Sequence, residues 1–154
     1  MLQFVVQLSQ TLKFALTSMI ILACTNQEEI PMTQTIHHKI KITLEGKEFM
    51  ATLNDSKTSR DFISLFPLEL TLEDYAGTEK IDNLPKRLST EGAPDGSTPS
   101  AGDIAFYAPW GNLALYYKDF RYSTGLIILG KMDKGIEQLS VLGRVNAKFE
   151  LSAE

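Results

Sequence analysis

The side chains that most often carry catalysis are scarce in this chain of 154 residues. It has two histidines, adjacent at His37 and His38, and one cysteine, Cys24. Ser–His–Asp and Cys–His arrangements need a histidine beside the nucleophile, but both histidines precede the first predicted strand. Two adjacent imidazoles are too few for a zinc site, so we interpret them as solvated polar residues. The sequence predicts no catalytic residue, no metal site and no cofactor.

The charged residues argue against a nucleic-acid partner. Fifteen lysines and arginines face 19 aspartates and glutamates, and the formal net charge is -4. A nucleic-acid-binding domain usually carries a basic patch, so no such partner is predicted. Four acidic residues, Glu69, Glu73, Asp74 and Glu79, could bind a hard cation. Glu69 and Glu73 instead fit the solvated face of a strand.

The best candidate for a ligand site is the turn at residues 109–112, PWGN, which has several aromatic residues close to it in the sequence. Tryptophan and tyrosine combine a large apolar surface with one polar group, which suits binding surfaces. Trp110 lies in this turn, between two apolar runs. The alternative is that Trp110 is structural and plugs the rim of the fold, covered by Tyr75 or Tyr107. The candidate ligand-binding residues are Tyr107, Ala108, Pro109, Trp110, Asn112, Tyr117 and Phe120.

An apolar run of about ten residues lies near the start of the chain, from Phe14 to Ala23, and Lys13 precedes it. The run is shorter than the roughly 20 residues that span a bilayer, and it matches the hydrophobic region of a signal peptide. It ends in ILAC, which resembles a bacterial lipobox. In lipoproteins of that kind the cysteine, here Cys24, is diacylated and the signal is cut before it.

These features predict three parts of the chain. Residues 1–23 are a signal peptide of the lipoprotein type, residues 24–38 are a polar tether, and residues 39–154 are one domain. The protein would then lie in the cell envelope and contact the membrane through its lipid anchor. The alternative is that translation starts at Met19 or Met32, which would give a cytoplasmic product.

Alternating apolar residues predict that the domain begins with a β-hairpin. Residues 39–44 and 49–53 each alternate between apolar and polar side chains, with a glycine turn between them. Thr58 and Asp61 then form a capping-box-like start to a short helix.

The rest of the domain is also rich in short strands. Residues 89–102 are rich in Gly, Pro and Ser and predict a long surface loop, and a second short helix is predicted after Gly135. About eight strands and two short helices make an all-β fold, and such strands form either a barrel or a sandwich. Further strands are predicted at residues 68–72, 81–88, 103–108, 113–117, 126–129 and 145–151.

Several stretches resemble cyclophilins. Residues 125–139, GLIILGKMDKGIEQL, are similar to a cyclophilin strand, turn and short helix, and TSRDF at residues 58–62 resembles the start of the first helix. The whole chain looks closer to a bacterial group of cyclophilin-like domains of uncharacterised function. Stretches similar to those of that group are DYAGTEK at 74–80, LP at 84–85 and GDIAFYAPWGNLALYY at 102–117.

The resemblance implies a closed eight-stranded antiparallel barrel capped by two short helices. In an eight-stranded barrel the interior is filled by side chains, so a ligand must bind outside the barrel or at its rim. The side chains expected inside are Ile40, Ile42, Phe49, Leu53, Ile104, Phe106, Leu113, Leu115 and Ile127.

The resemblance also raises the question of prolyl isomerase activity. Cyclophilins lower the barrier of about 18–20 kcal/mol to peptide rotation with an apolar pocket and an arginine in a Phe-His-Arg stretch. The corresponding residues 79–90 contain no such stretch, and Arg87 is the only arginine nearby. We therefore expect a non-catalytic binding module with an aromatic groove for a peptide or small ligand. The alternative is a peptidyl-prolyl isomerase with a degenerate active site.

Overall fold

The computed structural model describes residues 36–141 and 143–153 of the chain. The predicted signal peptide, Cys24 and most of the predicted tether lie outside these residues, and so does Leu142. In the described part of the chain, neither helix is long and apolar enough to cross a membrane.

Eight strands form a closed antiparallel barrel, as the resemblance implies, and two very short strands pair outside it. Around the barrel the order is β1-β10-β3-β4-β7-β6-β9-β2, and β5 pairs with β8. The elements are β1 (His37–Leu44), β2 (Lys47–Asn54), α1 (Lys57–Ile63), β3 (Leu68–Tyr75), β4 (Glu79–Asn83), β5 (Gly96–Ser97), β6 (Asp103–Tyr107), β7 (Asn112–Tyr116), β8 (Ser123–Thr124), β9 (Leu126–Met132), α2 (Ile136–Val141) and β10 (Val145–Leu151).

The barrel interior is a packed apolar core. Of the nine side chains predicted inside, eight are buried and join one cluster that also includes Phe62 of α1 and Leu139 of α2. Phe49 is the exception, because it is only partly buried and packs against the edge of that cluster. Its ring lies directly over Gly135, in space that the Cβ of any other residue would occupy.

The start of β1 corrects the predicted position of the two histidines, which were expected to precede the first strand. The first strand begins at His37, so both histidines belong to β1 and pair with β2. The His38 Nε2 atom lies 2.8 Å from the Asp55 Oδ1 atom and is partly buried. This contact and the nearby Arg60 lower the pKa of Asp55, and the contact connects β1 to the segment between β2 and α1.

The start of α1 also differs from the prediction. The N-cap is Ser56, whose hydroxyl accepts a hydrogen bond from the Ser59 backbone N–H at 3.1 Å. Thr58 and Asp61 do not form a capping box with each other. The Thr58 hydroxyl donates to the Ser89 carbonyl oxygen at 2.7 Å, and the Asp61 carboxylate accepts from the Ser89 N–H at 2.8 Å. Together they anchor the beginning of the long loop to α1.

The loop predicted at residues 89–102 contains the short strand β5. Its two residues pair with β8, with Gly96 opposite Thr124 and Ser97 opposite Ser123. A Cβ on Gly96 would lie 2.5 Å from the Ser123 carbonyl oxygen, so this close pairing requires glycine. β5 and β8 form a small two-stranded sheet that is separate from the barrel.

Candidate functional site: an aromatic cavity outside the barrel

One part of the barrel wall is buried on both faces. In β7 all five residues are buried, although alternation along a strand places only Leu113 and Leu115 in the main core. The outward side chains of Ala114 and Tyr116 belong to a second apolar cluster, which forms on the outer faces of β4, β7, β6 and β9. Its buried members are Ala105, Ala114, Tyr116 and Leu126, and Ile81, Tyr107, Phe120 and Ile128 pack against them.

A cavity of about 360 Å³ opens on this outer face, beside β8. We call it the aromatic cavity. Its wall also contains a carboxylate, an amide and a guanidinium group, from Glu79, Asn112 and Arg121. The aromatic side chains that line it are Tyr75, Tyr107, Trp110, Tyr116, Phe120 and Tyr122.

Four of the seven predicted ligand-binding residues line the aromatic cavity: Tyr107, Trp110, Asn112 and Phe120. The other three, Ala108, Pro109 and Tyr117, do not.

Ala108 and Pro109 both contact Gly125, whereas Tyr117 contacts Asp74. The Ala108 N–H donates to the Gly125 carbonyl oxygen at 3.0 Å, and the Pro109 ring lies over Gly125. Tyr117 follows the last residue of β7, and its hydroxyl donates to Asp74 Oδ1 at 2.6 Å.

Trp110 lies on the cavity wall and is 54% exposed. Its ring makes edge contacts with Tyr75 and Tyr107, with centroid distances of 5.5 and 5.3 Å. The turn that carries it is closed by the Tyr107 carbonyl oxygen, which accepts from the Gly111 N–H at 2.9 Å. Gly111 has a φ of +77°, which glycine adopts without strain. The Trp110 side chain is therefore half exposed, contacts two other aromatic rings and does not fill the core.

Three cavity residues come from a distant stretch of chain: Tyr75, which was predicted only as a possible cover of Trp110, and Glu79 and Ile81, which were not predicted at the site. Tyr75 ends β3, and Glu79 begins β4. Sheet pairing sets Tyr75 opposite Glu79, and Glu79 opposite Tyr116. Neighbours in a row across a sheet point to the same face, so the side chains of Tyr75, Glu79 and Tyr116 all face the cavity. The alternation of β7 was the available signal that Tyr116, not Tyr117, points outward.

Glu79 is the buried acidic group of the cavity and is only 8% exposed. Burial raises the pKa of its carboxyl group, and the hydroxyls of Thr78 and Tyr116 oppose that rise by hydrogen bonding. Burial likewise raises the pKa of Tyr116, and the neighbouring Glu79 adds to the effect. Deep in the cavity, therefore, the environment disfavours negative charge.

A second polar cluster lies on the opposite face of β4. Lys80 is 1% exposed, its Nζ atom lies 3.1 Å from Asp74 Oδ1, and it donates to the Gly143 carbonyl oxygen at 2.8 Å. The hydrogen bond from Tyr117, together with Lys80, lowers the pKa of Asp74. Burial and Asp74 raise the pKa of Tyr117 to about 12. This cluster neutralises a buried lysine and lies outside the cavity lining.

Arg87, the arginine considered for isomerase chemistry, does not line the aromatic cavity. It is exposed, and its guanidinium donates to the Ala108 carbonyl oxygen behind the Trp110 turn. Arg121 is the arginine of the cavity wall, and its guanidinium carbon lies 5.3 Å from the Phe120 ring centroid. Within residues 36–141 and 143–153, no three His, Cys, Asp or Glu side chains group closely enough to hold a metal ion.

Comparison with known proteins agrees with this architecture. The comparison with curated proteins finds no match. Among solved structures, the solution structure of a hypothetical protein from Archaeoglobus fulgidus is similar, with a TM-score of 0.57 and 15% identity. The match covers 78% of this chain and 98% of that one, and at this identity it shows the fold alone. The model of the Cyclophilin-like family matches residues 42–154, so the chain belongs to the cyclophilin-like family.

Proposed function

We propose that the protein is a binding module that takes a peptide segment or a small molecule in the aromatic cavity. The observation that carries the proposal is the half-exposed Trp110, held edge-on by Tyr75 and Tyr107 beside a cavity of about 360 Å³. Ligand pockets commonly have volumes of about 300–1,000 Å³ and combine apolar walls with a few polar groups. Exposed tryptophan and tyrosine side chains are also frequent anchors of binding energy.

Trp110→Ala is expected to weaken ligand binding about 30-fold or more, which corresponds to about 2 kcal/mol. Because the side chain is 54% exposed, the free energy of unfolding should fall by only about 1 kcal/mol. Calorimetric titration with blocked tetrapeptides measures the first effect, and urea denaturation measures the second. Trp110→Phe retains an aromatic ring and is the matched control.

The fluorescence of Trp110 provides a second test, because the chain has one tryptophan. Iodide should quench its emission in the free protein, and a bound tetrapeptide should protect it. A blue-shifted emission that iodide does not quench, together with a loss of about 3–5 kcal/mol in Trp110→Ala, would assign the residue to the core.

Prolyl isomerisation is the alternative function, and Arg121 is the cavity residue that could polarise an amide. Its guanidinium is at the cavity wall, beside Phe120. A protease-coupled assay with a proline-containing peptide distinguishes the two functions. A binding module leaves the isomerisation rate unchanged, whereas an isomerase accelerates it and loses the acceleration in Arg121→Gln.

We further propose that the binding module is tethered to the cell envelope through Cys24. The support is the ILAC sequence after the apolar run of residues 14–23, which lies outside the described residues. Cys24→Ala is expected to release the protein from membranes, and labelled palmitate should enter the wild type alone. A wild-type protein found in the soluble fraction with residues 1–23 still attached would contradict this location.

A further inference from the structure

The aromatic cavity contains a buried carboxylate without a basic partner among the described residues. Glu79 is 8% exposed, and its carboxylate accepts a hydrogen bond from the Thr78 hydroxyl. The nearby Tyr116 hydroxyl also lowers the pKa of this carboxyl group. No lysine or arginine nitrogen in the described chain forms a salt bridge with Glu79, although nine such pairs with other carboxylates occur there. A buried carboxylate is usually paired with a cation.

Asn112 supplies a second acceptor in the same wall. It is 4% exposed, and its Oδ1 atom has no hydrogen-bond partner within the described residues. Its Nδ2 atom donates to the Leu113 carbonyl oxygen at 3.4 Å. A buried acceptor without a donor is uncommon and costs free energy. The wall therefore contains one acceptor without a donor, Asn112 Oδ1, and one carboxylate, Glu79, that has a hydroxyl donor but no cationic one.

The aromatic walls suit a positive charge as well. Ring faces carry negative potential and attract ammonium groups, and the attraction grows when water is excluded. Tyr75 and Tyr107 meet the Trp110 ring edge-on, which orients their faces differently around the mouth of the cavity. The cavity wall therefore combines ring faces of different orientation with a buried carboxylate.

We propose that the aromatic cavity selects a primary ammonium group on an unbranched alkyl chain, which donates to Glu79 while the chain packs on the aromatic rings. The inference rests on the proposed binding function and names the chemical class of the ligand. A free alkylamine and the side chain of a lysine in a peptide share this chemistry.

The charges around Glu79 are compatible with this ligand. Asp74, on the neighbouring strand, adds negative potential that raises the pKa of Glu79. Arg121 is the opposing charge of the lining, but it is exposed and lies over the Phe120 ring, so water screens it. An ammonium group bound at Glu79 would supply the positive charge that the buried carboxylate lacks.

The test compares two ligands that differ in one charged group. Nα-acetyl-lysine methylamide, with a free side-chain ammonium group, should bind at least about tenfold more tightly than Nα-acetyl-norleucine methylamide. The fluorescence of Trp110 measures both affinities. Glu79→Gln should remove this preference and leave the affinity for the norleucine compound unchanged. Glu73→Gln is the matched control, because Glu73 lies on β3 outside the cavity and pairs with Arg144, and it should retain the preference.

The source of the ammonium group is tested with n-butylammonium. Binding as tight as that of the lysine compound supports a free amine, and binding only of the lysine compound supports a peptide side chain. Glu79→Gln is expected to fold at least as stably as the wild type, because the raised pKa of Glu79 means that its ionised form weakens the folded state at neutral pH.

Each contrary outcome identifies which proposal fails. Equal affinities for the lysine and norleucine compounds, or a preference that persists in Glu79→Gln, would overturn the ammonium assignment and leave the binding function standing. The binding function itself fails if the tetrapeptides, the lysine compound and the norleucine compound all leave Trp110 fluorescence unchanged.

Discussion

Gly130→Ala is expected to destabilise the barrel by about 3 kcal/mol. Gly130 lies in β9 and is paired with Leu53 of β2 on one side and Ile104 of β6 on the other. A Cβ at this position would overlap the Thr52 carbonyl oxygen and lie 2.7 Å from the Leu53 Cα atom. Both obstacles belong to backbone that is held by strand pairing, so rotation of a side chain cannot relieve them.

Urea denaturation followed by circular dichroism measures this effect. Gly143→Ala is the matched control, because a Cβ at residue 143 would have no atom within 4 Å. Its free energy of unfolding should change by less than about 0.5 kcal/mol. Equal losses in the two variants would show that the close approach of β2 and β9 does not determine the effect.

Asp74→Asn is expected to lower the free energy of unfolding by about 2–3 kcal/mol. It removes the carboxylate 3.1 Å from the Nζ atom of Lys80, which is 1% exposed, and a buried charge that loses its partner is costly. We expect a smaller decrease in the free energy of unfolding than the 3–5 kcal/mol typical of a fully buried pair, because the Asp74 side chain is 43% exposed. Water can therefore reach part of the site.

Introducing Asp74→Asn into the Lys80→Met variant isolates the contribution of the Asp74–Lys80 ion pair. There the added cost of Asp74→Asn should fall to about 1 kcal/mol, because the Asn oxygen can still accept from the Tyr117 hydroxyl but lacks the negative charge that strengthens this hydrogen bond. An unchanged cost in that background would mean that Lys80 does not depend on Asp74.

The same pair predicts a pH dependence. The hydrogen bond from Tyr117 and the nearby Lys80 lower the pKa of Asp74 below its ordinary 3.8. A lowered carboxyl pKa gives stability that is complete above the unfolded-state value and is lost as the pH falls through the folded-state value. The difference in stability between wild type and Asp74→Asn should therefore be constant near neutrality and shrink below about pH 3.8.

Strand alternation predicted most of the core, because burial on one face leaves a period of two in the sequence. Ile40, Ile42 and Leu53 are buried as expected. Thr58 and Asp61 were misassigned, because the spacing of a capping box does not reveal that both side chains bind Ser89, about 30 residues away. A local pattern of polar side chains cannot distinguish a local partner from a distant one.

The residues of the candidate site could also be predicted only in part. Tyr107, Trp110 and Phe120 lie within one stretch of sequence, so an aromatic cluster there could be predicted. Glu79 could not be placed, because it reaches the cavity only through the pairing of β3, β4 and β7, and Tyr75 was predicted only as a possible cover of Trp110. That strand order is a property of the closed barrel and is not encoded in any short segment.

Closure of the barrel also limits how a peptide could be recognised. Each of the eight strands has a neighbour on both sides, so the barrel offers no free backbone edge to which an extended peptide could add as a further strand. Main-chain pairing of that kind gives affinity that depends little on peptide sequence. A peptide bound on the barrel wall cannot pair in this way with the eight strands, so we expect its side chains to contribute most of its affinity and the protein to discriminate between ligands of different sequence.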